Sequence, residues 1–101
     1  MAATKPIPPE IEAERTDVSP TFLEALGMHT ESRARADHDL VEQDNRAWLA
    51  LPGRHCNGGA WYPCATPGAW ELRGYVGRAF CTYHAAARLR IADQLAAGVT
   101  R

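Results

Sequence analysis

No stretch of this 101-residue chain approaches the run of about 18 apolar residues that a membrane-spanning helix needs. Met1 to Glu10 holds one lysine and three prolines but no apolar centre, so it does not read as a secretory signal. Cysteine is scarce and odd in number. Three cysteines suit a disulfide framework poorly and a reduced metal site well, and the expected compartment is cytoplasmic. The chain also lacks a glycine-rich phosphate loop, a Gly-x-Ser-x-Gly elbow and a His-Glu-x-x-His pair. Lysine is nearly missing too: ten of the eleven basic residues are arginine, a bias that carries no mechanism.

These absences leave room for one small domain with a tail, whose modest core would gain from a metal staple. The net charge of −1 hides an asymmetry. Residues 1–51 carry five basic and ten acidic groups, whereas residues 52–101 carry six basic and two acidic. Such a split can mark an acidic arm beside a basic binding face.

Three segments follow from punctuation and periodicity. Residues 1–18, with Pro6, Pro8, Pro9 and interspersed glutamates, read as a flexible extended arm. Residues 19–51 read as helical. Ser19-Pro20 starts a short helix that Gly27 stops, and Thr30 caps a longer one running to about Leu51. Along the longer helix Leu40, Val41, Ala47, Trp48 and Leu51 share a face, leaving Arg33, Arg35, Asp37, Asp39, Glu42 and Asp44 to solvent. His29 also reads as solvated, and Asp37-His38-Asp39 as a surface triplet, because consecutive helical residues point in different directions.

Residues 54–101 differ in character. Gly58, Gly59, Pro63, Pro67 and Gly68 mark tight loops, and Trp70, Leu72, Gly74 and Val76 alternate as a strand. Gly77-Arg78 can turn it into a return strand over 79–81, after which Thr82 can cap a last helix ending near Gly98.

The informative pattern is Cys56-x7-Cys64-x16-Cys81-x2-His84, which uses every cysteine and one of four histidines. Three thiolates and one imidazole complete a tetrahedral zinc set and leave no open position for a bound water. Cys81 and His84 fall one helical turn apart where the last helix begins, and a helix N-terminus favours thiolate. The expected cofactor is one structural zinc ion. The alternatives are ordinary buried thiols, or an iron–sulfur cluster that would need histidine as its fourth ligand.

A loop pair of ligands, a hairpin and a ligand pair at a helix start resemble a treble-clef zinc finger over about residues 54–95. The first gap departs from that family, which commonly has two residues where this chain has seven. The departure leaves His55 as a substitute ligand.

The fold class expected is therefore α+β: two N-terminal helices and a flexible arm preceding a small zinc-stapled domain of β-hairpin and C-terminal helix. The expected role is non-catalytic, an adaptor or regulator that binds a protein partner in a transcription, replication or virion assembly, with no membrane and no small-molecule substrate. The first alternative is direct DNA or RNA binding. Arg54, Arg73, Arg78, Arg88 and Arg90 share the C-terminal half with Trp61, Tyr62, Trp70, Tyr75 and Tyr83. Arginines bind phosphate and aromatic rings stack on bases. An enzyme accessory subunit is the second alternative.

Overall fold

The computed structural model describes residues 17–59 and 64–98. The proposed arm lies almost entirely outside them, as do Trp61 and Tyr62. The element order is α1 (Pro20–Ala25), α2 (Glu31–Gln43), β1 (Ala47–Leu49), β2 (Trp70–Leu72) and α3 (Thr82–Gly98). This is the mixed helix-and-strand architecture expected. Among the described residues no helix is long and apolar enough to cross a membrane.

Local chemistry sets the first two helices. The Ser19 hydroxyl accepts the Phe22 amide at 3.1 Å, and Pro20 occupies the first helical position. At the other end Gly27 has φ +75, which lets its amide reach Glu24 O (2.9 Å) and the Met28 amide reach Leu23 O (2.8 Å). That pair of reversed bonds closes α1 in a Schellman motif. Thr30 caps α2 by accepting the Arg33 amide at 3.2 Å.

The second helix stops at Gln43, eight residues short of the sequence expectation of Leu51. Asp44 causes the stop. Its backbone is extended (φ −87, ψ 126), and its carboxylate accepts the Arg46 amide and Nε, each at 2.9 Å. A side chain that bonds the backbone two residues on offers the chain a turn in place of another helical residue. Residues 47–49 then enter an antiparallel ladder, with Ala47 opposite Leu72, Trp48 opposite Glu71 and Leu49 opposite Trp70. Trp48 and Leu51, assigned by periodicity to a buried helix face, are exposed as a consequence.

The expected strand over 70–76 is shortened to Trp70–Leu72. Gly74 (φ +91) and Gly77 (φ +78) turn the chain early, and Val76 is left fully in solvent. The return strand contracts to one bridge, in which Phe80 and Trp70 exchange bonds of 2.7 and 2.9 Å.

The last helix is as long as expected, but its cap differs. Cys81, not Thr82, precedes the first turn, its carbonyl accepting the Ala85 amide at 2.8 Å and its sulfur the His84 amide at 3.5 Å. The Thr82 hydroxyl is used elsewhere, accepting Trp70 Nε1 at 3.0 Å.

The core sits where α2, β2 and α3 meet. Val41, Trp70, Leu72, Phe80, Ala85, Ala86 and Leu89 form one buried cluster that also contains the three cysteines. Asp37 is fully buried beside Val41, contrary to its assignment to a solvated face. The reason is pairing: Asp37 accepts Arg90 of α3 at 2.8 Å and Arg33 Nε at 3.3 Å. His29 is buried as well, its ring edge-on to Tyr83 at 5.4 Å.

Candidate metal centre

Four strand and loop contacts bring Cys56 to the start of α3. Cys56 donates its amide to Thr66 O (3.2 Å), His55 bridges to Pro67, and Gly68 donates to Arg54 O (2.8 Å). Asn57 then clamps Ala79, donating its amide to Ala79 O at 2.7 Å and accepting the Ala79 amide at 3.0 Å. Residues 54–57 are thereby held between 66–68 on one side and the strand leading to Cys81 on the other.

The ligating atoms of Cys56, Cys64, Cys81 and His84 lie within 4.8 Å of one another. A zinc tetrahedron with bonds of about 2.3 Å to sulfur has S···S edges of about 3.8 Å, so the grouping is of the right size. His84 Nδ1 stands 3.2 Å from both Cys56 Sγ and Cys81 Sγ, which identifies it as the inward-facing nitrogen. All four residues are buried, His84 completely. The cluster could hold a metal ion, with every first-sphere position supplied by protein.

The immediate surroundings are fitted to these ligands. The Gly58 amide donates to Cys56 Sγ at 3.3 Å, and a Cβ at Gly58 would overlap the His84 ring. Arg88 lies over the Phe80 ring at 4.8 Å and donates to Gly58 O at 3.2 Å, tying residues 54–58, the knuckle, to α3. His84 Nε2 is buried and has no hydrogen-bond partner among the described residues.

The thiols do not ionise independently. Cys56 is pulled down to about 4, first by the hydrogen bond from Cys81 and then by His84, against the opposing effect of burial. Cys81 is pushed up, first by donating to the Cys56 sulfur and then by burial. Cys64 is pushed up mainly by burial. Without a cation the enclosure thus stabilises one thiolate and resists a second and third. A divalent ion bound to all three thiolates would cut their summed charge from −3 to −1, which is how a cation would favour deprotonation of the second and third thiols.

The chain matches no protein-family model, no curated protein and no solved structure.

The four sequence-assigned ligands are brought together. His55 is exposed and stands outside the group, so it does not replace a ligand here. The assigned arginines are scattered in their use. Arg90 is committed to Asp37, Arg88 to Gly58 and two rings, and Arg54 to Gly77 O (2.9 Å) and Glu71 (3.6 Å). Arg73 and Arg78 are exposed and have no ion pair among the described residues. The sequence reading missed Gly58 as a seat for the imidazole; its place two residues after a ligand was the available signal. A second candidate cluster, His38, Asp39 and Glu42, lies on the exposed side of α2.

Proposed function

We propose that Cys56, Cys64, Cys81 and His84 hold one structural zinc ion, and that the chain is a non-catalytic adaptor or regulator built around it. One observation carries the first part: four buried protein donors, three sulfur and one nitrogen, converge on one point. Soft thiolates with one imidazole select zinc over hard cations, and a filled tetrahedron holds no activated water. The bridging of residues 54–57 to 66–68, the Trp70–Phe80 bridge and two ligands at the start of α3 support a treble-clef-like arrangement with an enlarged first gap. The adaptor reading rests on that closed site together with the absence of any catalytic motif.

Metal analysis and a pull-down on the same purified sample test both parts. One zinc per chain, displaced by cobalt to give a tetrahedral thiolate spectrum, is the expected result. Substoichiometric metal, or full binding by a Cys64→Ser variant, would overturn the zinc assignment. Recovery of a specific protein partner is expected of an adaptor.

Direct nucleic-acid binding is the second reading, favoured by the exposed, unengaged Arg73 and Arg78 at the two ends of the 73–78 loop. Duplex binding that weakens steeply with salt, and that is lost in Arg73→Ala plus Arg78→Ala, would favour it. No binding at low salt favours the adaptor.

A further inference from the structure

We propose that the concavity between α1 and the beginning of α2 is a binding site for a small apolar monocarboxylate, with Arg33 as the carboxylate receptor. The site uses none of the metal ligands, so it stands or falls separately from the zinc assignment.

The pocket has a volume of about 280 Å³, and its wall is largely apolar: Phe22, Leu26, Met28 and the Tyr83 ring contribute, among others. Phe22, Leu26 and Met28 are 56%, 57% and 58% exposed, so three large apolar side chains meet water around one hollow. Solvated apolar surface gathered in a concavity and rimmed by polar groups is the usual mark of a ligand site. The volume lies near the lower end of the roughly 300–1,000 Å³ common for ligand pockets, which points to a small occupant.

Charge selects its polar end. Among the described residues Arg33 is the only one lining the pocket with a permanent charge. Its Nε is fixed on Asp37 at 3.3 Å, and Asp37 is itself held by Arg90 at 2.8 Å with none of its surface exposed. The guanidinium is therefore held in place by a buried anchor. No ion pair or hydrogen bond of its two Nη groups is found among the described residues, and the Arg33 side chain, which lines the pocket, is 48% exposed. A guanidinium with its fork open matches a carboxylate in geometry as well as charge. Glu24 faces His29 at 3.8 Å and Glu31 pairs with Arg35 at 3.7 Å, and neither lines the hollow; Asp17, buried beside the lining residue Val18, does not line it either.

His29 supplies an independent sign. It lines the same pocket, is 8% exposed, and neither ring nitrogen has a hydrogen-bond partner. The carboxylates that face it, Glu24 and Asp37, stand at 3.8 and 3.9 Å, beyond bonding distance. Buried polar atoms are almost always satisfied, and a loosely met one beside an open pocket indicates a network that an occupant completes. Apolar wall, polar floor and one anchored cation together describe a receptor for an amphiphilic anion.

The test is an amide NMR titration of the metal-loaded full chain with sodium hexanoate, 1-hexanol, hexylammonium chloride and N-acetyl-Gly-Leu. Hexanoate should shift the Leu26, Met28 and Arg33 amides saturably. It should bind at least about tenfold more tightly than hexanol, the difference expected of a charge-assisted pair. Hexylammonium should not saturate. Arg33→Gln should bring hexanoate down to the level of hexanol. Met28→Glu, at an exposed position where folding is not at stake, should abolish hexanoate binding. Equal binding of hexanoate and hexanol, shifts confined to other residues, or no saturation would overturn the proposal. Tighter binding of the dipeptide than of hexanoate would also overturn it, identifying a surface for a chain terminus instead.

Discussion

Asp37 of α2 and Arg90 of α3 form an ion pair of 2.8 Å in which the carboxylate has no exposed surface. Arg33 shares the same oxygen at 3.3 Å, so one buried acid collects two cations from two helices. Removing it strands both. Breaking a buried pair costs about 3–5 kcal/mol, but here both arginines can turn to water, and Asp37→Ala should cost about 2–3 kcal/mol. Arg35→Ala is the contrast. Its pair with Glu31 is 3.7 Å long and lies between side chains 75% and 91% exposed. Loss of such a surface pair should move stability by less than about 1 kcal/mol. Urea unfolding of the metal-loaded variants measures both; equal effects would refute the distinction.

Asp37 also shows where sequence reading failed. Arg33 is a local i,i+4 partner, but Arg90, the partner that ties Asp37 to α3, lies 53 residues away on another helix, and no local pattern announces a buried charge whose compensation is that distant. The same limit hid β1. Residues 47–49 continue a helical apolar stripe on paper, and only pairing with Trp70–Leu72 makes them a strand. By contrast Ser19, Thr30 and Gly27 act through bonds within five residues, and these were legible. The grouping of the four candidate ligands could be picked out for a different reason. Their chemistry is rare enough that four suitable residues in 29 positions carry meaning whatever the intervening path.

Gly58 should be intolerant of a side chain. Its Cβ position is taken by the His84 imidazole, and its amide bonds the Cys56 sulfur at 3.3 Å. Gly58→Ala must push the ring or the knuckle aside. Overpacking of this kind costs about 1–3 kcal/mol, and here it displaces a ligand. Weaker cobalt binding with a distorted visible spectrum is expected. Gly53→Ala is a control with no atom near its Cβ but a φ of +86, so it should destabilise without altering the spectrum. Identical spectra for both variants would show that Gly58 does not seat the imidazole.

Asp44 and Arg46 predict an acid-sensitive contribution at the end of α2. The Arg46 guanidinium bonds both Asp44 oxygens, at 2.9 and 2.7 Å, and holds the carboxyl below the usual range. Arg46 also reaches Asp93 of α3 at 3.0 Å. A carboxyl that binds its proton less readily when folded contributes stability above its unfolded pKa and loses it as the pH falls through the folded value. The stability difference between wild type and Asp44→Asn should be full near neutrality and contract below about pH 4. Acid also drives metal from thiolates. Both proteins share that loss, so the difference between them isolates Asp44. A gap that stays constant down to about pH 3 would contradict the assignment.

Chelation should loosen more of the molecule than the ligand loops. From the sequence alone, metal removal is expected to disturb residues 54–90 and spare much of the 31–51 helix. The packing argues otherwise. The second helix is 13 residues long and buries only Asp37 and Val41, and helices of that length are marginal in water unless packed. Its main support is α3, the element against which it makes its largest contact. Two of the four ligands, Cys81 and His84, stand at the start of α3 and fix its first turn against the knuckle. Once the metal is withdrawn, three crowded thiols and an imidazole have no cation to hold them together, and α3 loses its anchored end. Amide exchange in excess chelator should therefore show 64–90 and 31–43 losing protection together. Retained protection in 31–43 alone would mean that the Asp37–Arg90 pair and the Val41 contact hold α2 without the metal.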